Sequence, residues 1–575
     1  MRAQSLATRV IVMAVAVVSV LFRPIPAGLE AQGTEPAALN GVVSSQEEGN
    51  MEGVVVTARR DGANFTVSVV SDAQGRYSFP STHVAPGSYA LTMRAAGYDL
   101  VSPGPVAVAA GQAASVDLTL QTTTDLASQL TSIDWAMSMP GTTELKDKLV
   151  YQAASCAYCH SYQRMMKSKH TAEEWVPVIS RMQAYYPDGT SAPDERRGRA
   201  VKGSAASAAR AEKNPNWGSV SKIELGQYLA TVNLSGGRTT WPFELKTLPR
   251  PKGKGTRVII TQYDQPRRDT VSHDMELDSK GTPWYTDQSK MYIGKLDPKT
   301  GTFTEYPLPP VPGRPGGASD IVVDNDDNLW FPMTSVKSPS TFGFPTRFDT
   351  KTETLTPVEL PNNASVQFMA VGPDGRIWGN APGRGLTVRI DPKTLKVDSF
   401  NTRLPDNAPP GGHSYYQVQV NSQGNPYLTD FGGSNILGID TKTGASTFYP
   451  TPTPNSFPRR GRMDTQDRLW FAEYYGDKIA FFDTRAERFE EFAVPYKYTT
   501  PYTVSVPDKN GRVYASSNMS DRVLRLDPKT REVIEYLMPT QLDSKKIAID
   551  QTTAGVTVWM ANTRTARILK IEPLD

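Results

Sequence analysis

Gly372-Pro373-Asp374-Gly375-Arg376-Ile377-Trp378, followed by Asp391-Pro392-Lys393-Thr394, is one unit of a repeat. An aromatic residue after a Gly/Asp/Asn turn recurs at Trp284, Trp330, Trp378, Tyr427, Trp470, Tyr514 and Trp559, with gaps of 46, 48, 49, 43, 44 and 45 residues. A second turn follows each: Asp297-Pro298-Lys299-Thr300, Asp349-Thr350-Lys351-Thr352, Asp440-Thr441-Lys442-Thr443, Asp483-Thr484 and Asp527-Pro528-Lys529-Thr530, with Glu572-Pro573 in the seventh. Short strands lie between the markers. Four strands at this period predict a propeller blade, and seven units predict a seven-bladed β-propeller over 243–575. Six units continue past the second turn into a fourth strand, such as Phe303-Thr304-Glu305-Tyr306-Pro307, whereas the seventh reaches Asp575 without one. Arg257-Val258-Ile259-Ile260-Thr261-Gln262-Tyr263 stands before the first unit and has the missing pattern. It is predicted to pair into the last blade, closing the ring and covering an edge.

Upstream, Cys156-Ala157-Tyr158-Cys159-His160 contains both cysteines of the 575-residue chain. The spacing lets two thiols bond to the vinyl groups of one haem while the histidine ligates iron, so it reads as c-type haem attachment. A zinc site needs further ligands, and no other cysteine exists. A thioredoxin-like pair needs a βαβ setting, and none surrounds it. The expected cofactor is one haem c, with covalent bonds to Cys156 and Cys159 and His160 as proximal ligand. Residues 125–236 read as helical. Thr171-Ala172-Glu173-Glu174 is a capping box, and Trp175, Val178, Ile179 and Met182 fall on one helical face. Met182 is the candidate distal iron ligand, a core methionine being the alternative; Met165, Met166 and His170 are weaker rivals. The segment His170-Thr171-Ala172-Glu173-Glu174-Trp175, with Arg181-Met182 and Tyr228-Leu229-Ala230, resembles small bacterial cytochromes of the c type.

Arg2 and Arg9, the apolar run Val10 to Phe22 and small residues near Ala27 and Ala31 read as a signal peptide over 1–31. The run is short of the ~20 apolar residues that span a bilayer, so no stable transmembrane segment is expected after cleavage. The location implied is periplasmic or secreted, in a bacterium. A formal net charge of +3 with interspersed signs gives no support for nucleic-acid binding. Residues 38–121 alternate apolar and polar between turns at Asp61-Gly62, Gln74-Gly75 and Pro86-Gly87, the pattern of a β-sandwich. Gly53-Val54, Ser71-Asp72-Ala73-Gln74-Gly75-Arg76-Tyr77-Ser78-Phe79, Ala85-Pro86-Gly87-Ser88-Tyr89 and Ala96-Gly97-Tyr98 resemble the carboxypeptidase regulatory-like domain. That family has a carbohydrate-binding-like fold, and the resemblance implies an accessory spacer or docking module. The fold class expected is therefore multidomain and mainly β: a β-sandwich, a small α-helical cytochrome c domain and a C-terminal seven-bladed propeller.

Gly372 to Trp378 and Leu469-Trp470-Phe471-Ala472-Glu473 resemble the blades of virginiamycin B lyase, the streptogramin lyase. In that family a histidine before an innermost strand acts as base, and glutamates two residues before it and at the end of the second strand hold magnesium. Innermost and second strands form a hairpin, so the start of one and the end of the other share a rim. In the first blade this places His273, the candidate base, beside Asp287. Val271 stands where the resemblance wants glutamate, and the fifth blade has Glu473 but Arg459 in the histidine's place. The lyase set is thus broken. Asp287, Asp430 and Glu473 are candidates to hold a divalent cation or a basic ligand at the rim, and His413 lies in a loop that also reaches it. The function expected first is an exported haem protein that transfers electrons, its propeller binding a redox partner protein or a small-molecule substrate. A lyase acting at the rim and a non-catalytic envelope binding protein are the alternatives.

Overall fold

The computed structural model describes residues 36–152, 160–185, 212–213, 215–217, 220–288, 291–309, 317–333, 343–402, 413–551 and 555–575. The chain is mainly β, with a few short helices between its first sheets and its last. The carboxyl-terminal part holds seven four-stranded antiparallel blades; the fifth and sixth are bridged to each other, and the seventh continues into the sandwich. Their innermost strands are Ser272–Leu277, Val322–Val323, Met369–Val371, Tyr415–Val420, Pro458–Met463, Pro501–Val504 and Ile547–Asp550. Each sheet touches the next through its inner strands, and the seventh touches the first, so the sheets form a propeller-like ring of blades.

The two markers have a chemical basis. In four blades the turn acid before the second strand receives the marker's polar hydrogen. Nε1 of Trp284, Trp330 and Trp470 donates to Asp278, Asp324 and Asp464 at 3.0, 2.8 and 2.9 Å, and Tyr514 donates to Asp508 at 3.2 Å. A large ring is thereby buried between blades with its N–H or O–H satisfied. Asp-x-Lys-Thr is an Asx turn: Asp391 Oδ1 accepts from the backbone N–H of Lys393 and Thr394, and Asp440, Asp349 and Asp527 repeat the pattern.

Val258–Asp264 is the closing strand. It pairs antiparallel with Arg567–Pro573 from Val258 opposite Pro573 to Asp264 opposite Arg567. Its other edge is covered as well, because Phe65–Val70 of the first domain pairs with it, Ile260 opposite Ser68 and Tyr263 opposite Phe65. The last blade and one sheet of the sandwich are thus a single eight-stranded sheet. The amino-terminal module, expected as a spacer or docking module, is bonded edge to edge to the ring. The second sandwich sheet is built on Ala37–Ser45, and Leu39, Val56, Phe79, Leu91 and Leu118 fill the space between the two.

Between sandwich and ring lie Ser132–Ser138, Thr143–Asp147, Gln163–Met166, Ala172–Tyr185 and Lys222–Val232. The predicted capping box is formed: Glu174 N–H donates to Thr171 Oγ1 at 3.3 Å, and Thr171 N–H donates to Glu174 Oε2 at 3.0 Å. The last two helices cross at Gly226, where a Cβ would stand 2.8 Å from the Ala172 carbonyl oxygen. Trp135, Met166, Trp175, Ile179, Leu225 and Leu229 form a core that also takes in Tyr498 and Met519 of the ring. No described helix is long and apolar enough to cross a membrane.

Candidate functional site

Four innermost strands carry a register shift at the same place, between Ser272 and Met275, Tyr415 and Val418, Pro458 and Gly461, and Pro501 and Val504. A bulge re-aims successive side chains. Here it brings both members of His273/Asp274, Tyr416/Gln417, Arg459/Arg460 and Tyr502/Thr503 among the channel's aromatic and charged groups. His273 is therefore inside the inner strand and buried, with Nδ1 2.8 Å from Asp274 Oδ1. Asp287 shares that end of the hairpin, opposite Ser272, but its carboxylate accepts from Val271 N–H and Arg267, both at 3.1 Å. The expected neighbourhood exists, but His273 bonds to Asp274.

A histidine–acid bond at the end of a second strand occurs in the fourth blade. His413 Nδ1 lies 2.5 Å from Asp430 Oδ2, and Asp430 Oδ1 accepts from Ser414 N–H at 2.9 Å. Only glycine fits at position 433, since a Cβ there would stand on both Asp430 Oδ2 and His413 Nδ1. Asp287, Asn380, Asp430 and Asn562 share one task. Each accepts the backbone N–H of the segment leading into its own innermost strand, from Val271, Phe368, Ser414 and Asp543. Glu473 departs from this. It is fully buried, and neither carboxyl oxygen has a hydrogen-bond partner among the described residues. Burial, with the nearby Glu491 carboxylate, pushes its carboxyl up to about 8. The rim acids are thus held apart in separate blades. No group of three His, Cys, Asp or Glu side chains among the described residues is placed to hold a metal ion.

Inside the ring Arg460 is the hub. Its guanidinium donates to both oxygens of Asp274 at 2.7 Å, to Asp320 at 3.1 Å, to Gln417 at 3.0 Å and to the Lys545 carbonyl at 2.9 Å, and lies over Phe368 at 4.4 Å. All five donors are used. Burial works against ionisation of Asp274, but Arg460 and His273 outweigh it and hold its carboxyl well below the usual range. At neighbouring Asp320, burial and the Asp274 charge win over Lys546, and the carboxyl is raised. On the rim side the Arg459 guanidinium sits 4.0 to 5.2 Å from the rings of Tyr502, Tyr474, Phe431 and Tyr416, and the hydroxyls of Tyr416 and Tyr502 are 2.7 Å apart. On the other side a cavity of about 390 Å³ opens among the far ends of the innermost strands. Sequence reading named Arg459 but missed Asp274, Asp320 and Arg460, which no repeat marker distinguishes.

In the helical segment, Cys156 and Cys159 lie outside the described residues. His160 is half-buried, with Nδ1 2.9 Å from its neighbour's carbonyl oxygen, Ser161 O. Met182 packs half-buried against the helical core, which contains Met165 and Met166 outright. His170 stands just before the helix cap, its ring edge-on to Trp175 at 5.2 Å. Tyr151, shortly before the cysteine motif, donates to Asp477 of the ring at 2.5 Å and packs on Tyr475 and Tyr498.

The carboxypeptidase regulatory-like domain matches residues 38–121. Among solved structures, virginiamycin B lyase from Staphylococcus aureus is 22% identical over 55% of this chain and 99% of its own, with a TM-score of 0.47. A streptogramin B lyase is 18% identical over 55% and 97%, with a TM-score of 0.46. A search of curated proteins gives no match. The ring described above rests on its own strand pairing, not on these likenesses.

Proposed function

We propose that the chain is an exported c-type haem protein that transfers electrons, the helical segment being its cytochrome c domain. The observation that carries this reading is Cys156-x-x-Cys159-His160, the sole cysteines of the chain, with the His160 ring already oriented. A carbonyl oxygen only accepts, so Nδ1 facing Ser161 carries the hydrogen and the lone pair is on Nε2. A histidine that ligates iron through Nε2 needs this tautomer. Burial pushes the imidazole down to about 4 against the Ser161 carbonyl, and Arg164 and Arg564 push the same way, which keeps the ring neutral as a ligand must be. The surroundings also fit. The helical core is apolar, and the buried indole Nε1 groups of Trp135 and Trp175 have no acceptor among the described residues, as donors suited to a propionate. Cys156 and Cys159 would hold one haem by thioether bonds, with His160 and Met182 as ligands. When bound, haem c supplies a one-electron iron couple. The ring would present it to a redox partner protein or a small-molecule substrate, in the periplasm or outside the cell.

Protein made with haem-maturation machinery should keep its colour through acid-acetone extraction and denaturing gels. Cys156→Ala with Cys159→Ala should be colourless. Met182→Ala should lose the thioether-to-iron charge-transfer band of the oxidised protein. Colourless intact wild-type protein would overturn the reading.

The His413–Asp430 pair favours a second reading, proton abstraction at the rim as in a carbon–oxygen lyase. Asp430 fixes Nδ1 as the donor and puts the ring's lone pair on Nε2, the arrangement of an oriented general base. Virginiamycin S with magnesium is the direct substrate test. Ring opening lost in His413→Ala, or in His273→Ala, would put this reading first; no turnover would leave the haem reading alone.

A further inference from the structure

Beyond the haem and the rim, the channel has a second mouth. The cavity of about 390 Å³ is reached from the side opposite His413, Asp430 and Arg459. Its wall carries three cations, Arg460, Arg462 and Lys546, and one acid, Glu276. The acids that answer Arg460, Asp274 and Asp320, are fully buried and do not line the cavity. Lys546 is 3.3 Å from Glu276 and 3.2 Å from Asp320 and also donates to the Ile321 carbonyl, so its three N–H groups are used. Arg462 gives Glu276 one N–H at 2.5 Å and keeps 29% of its side chain exposed at the mouth. A guanidinium has five donors, so it has more to offer a ligand in the cavity. The rest of the wall is mixed: Val322, Val371 and Met463 from three different blades stand beside Gln417, Gln419 and Thr503. The volume lies within the range of small-molecule pockets, and the wall offers both charged groups and apolar side chains.

We infer that this mouth binds a small organic anion, its carboxylate or sulfonate head on the spare donors of Arg462 with the Lys546 charge behind them, and its apolar body against the valines and Met463. An inorganic anion would leave Val322, Val371 and Met463 wet, and a cation would find Glu276, the one acid of the wall, already held by Arg462 and Lys546.

The test is calorimetric titration of the full-length holoprotein with hexanoate and benzoate, against hexanamide, hexylammonium and inorganic phosphate. Saturable binding of one anion per chain is expected, with the amide, the ammonium and phosphate at least tenfold weaker. Arg462→Gln should weaken hexanoate at least tenfold, and Arg462→Lys should retain most of it. Arg462 is exposed enough that neither change should unfold the chain, and an unchanged melting temperature checks this. Lys546→Met, if it folds, should weaken binding likewise. Absence of saturable binding, equal binding of hexanamide or phosphate, or affinity unchanged in Arg462→Gln would overturn the proposal.

Discussion

Glu473 differs from the residues at equivalent places in other blades in having no backbone N–H to accept. Its cost depends on pH. The folded carboxyl is raised from 4.5 to about 8, so between those values the folded chain keeps a proton that the unfolded chain releases. Stability therefore falls as pH rises from about 4.5 to about 8 and levels off above. Glu473→Gln should remove that slope and stabilise the protein at pH 8, by on the order of 4 kcal/mol. Melting temperatures from pH 5 to 9 check it; parallel curves for wild type and variant would show that Glu473 is ionised at neutral pH. Arg460 shows the opposite solution, a buried charge with every donor used, and the two residues come from the same blade. Neither state was legible in the sequence. Residue type and spacing mark Glu473 as a rim acid, but they do not tell an acid that clamps a backbone from one left without a partner.

At the scale of elements, legibility followed local chemistry. The blades could be read because Trp284, Trp330 and Trp470 are each tied to an acid six residues before, and because Asp-x-Lys-Thr closes its own turn. The capping box at Thr171 and the closing strand Val258–Asp264 could be read for the same reason. The bulges that seat His273, Tyr416, Arg459 and Tyr502 could not, because a single extra residue leaves no periodic trace. That is why the sequence matched His273 with Asp287, while the structure joins His273 to Asp274 and His413 to Asp430. Nor could the sequence show that Phe65–Val70 would take the far edge of the closing strand, since an alternating strand does not name its neighbour. This double pairing makes Thr261 a central position, opposite Lys570 on one side and Val67 on the other. Thr261→Pro removes a ladder donor and should cost about 3 kcal/mol or more. Urea unfolding followed by tryptophan fluorescence measures this. A midpoint equal to the wild type's would mean that the closing strand contributes little to the ring.

At the scale of the whole molecule, the three segments share sheets, cores and buried charges. The sandwich gives a strand to the ring's last sheet, and Arg94 reaches Asp521 at 2.7 Å. The helical segment contributes Tyr151 to Asp477 and takes Tyr498 and Met519 into its own core, and Ile133 N–H donates to the Met519 carbonyl at 2.9 Å. It is tied to the sandwich through Gln129, which donates to the Tyr98 carbonyl and Asp99 and accepts from Gly97 N–H. Chains of several domains commonly unfold in separate steps. Here each segment would expose part of its neighbour's core by leaving, so one cooperative transition is expected. Asp477 tests the coupling, because it accepts from Tyr151 and from the backbone N–H groups of Tyr498 at 2.7 Å and Thr500 at 2.8 Å. Asp477→Ala strands three donors, two of them backbone N–H groups, and should cost on the order of 2–4 kcal/mol. If the segments are coupled, it lowers a single calorimetric peak without splitting it, and any haem absorbance is lost over the same temperature range as the β-sheet signal. A helical transition that separates from the sheet transition, in the wild type or the variant, would show instead that the helical segment is docked on the ring without being part of its folding unit.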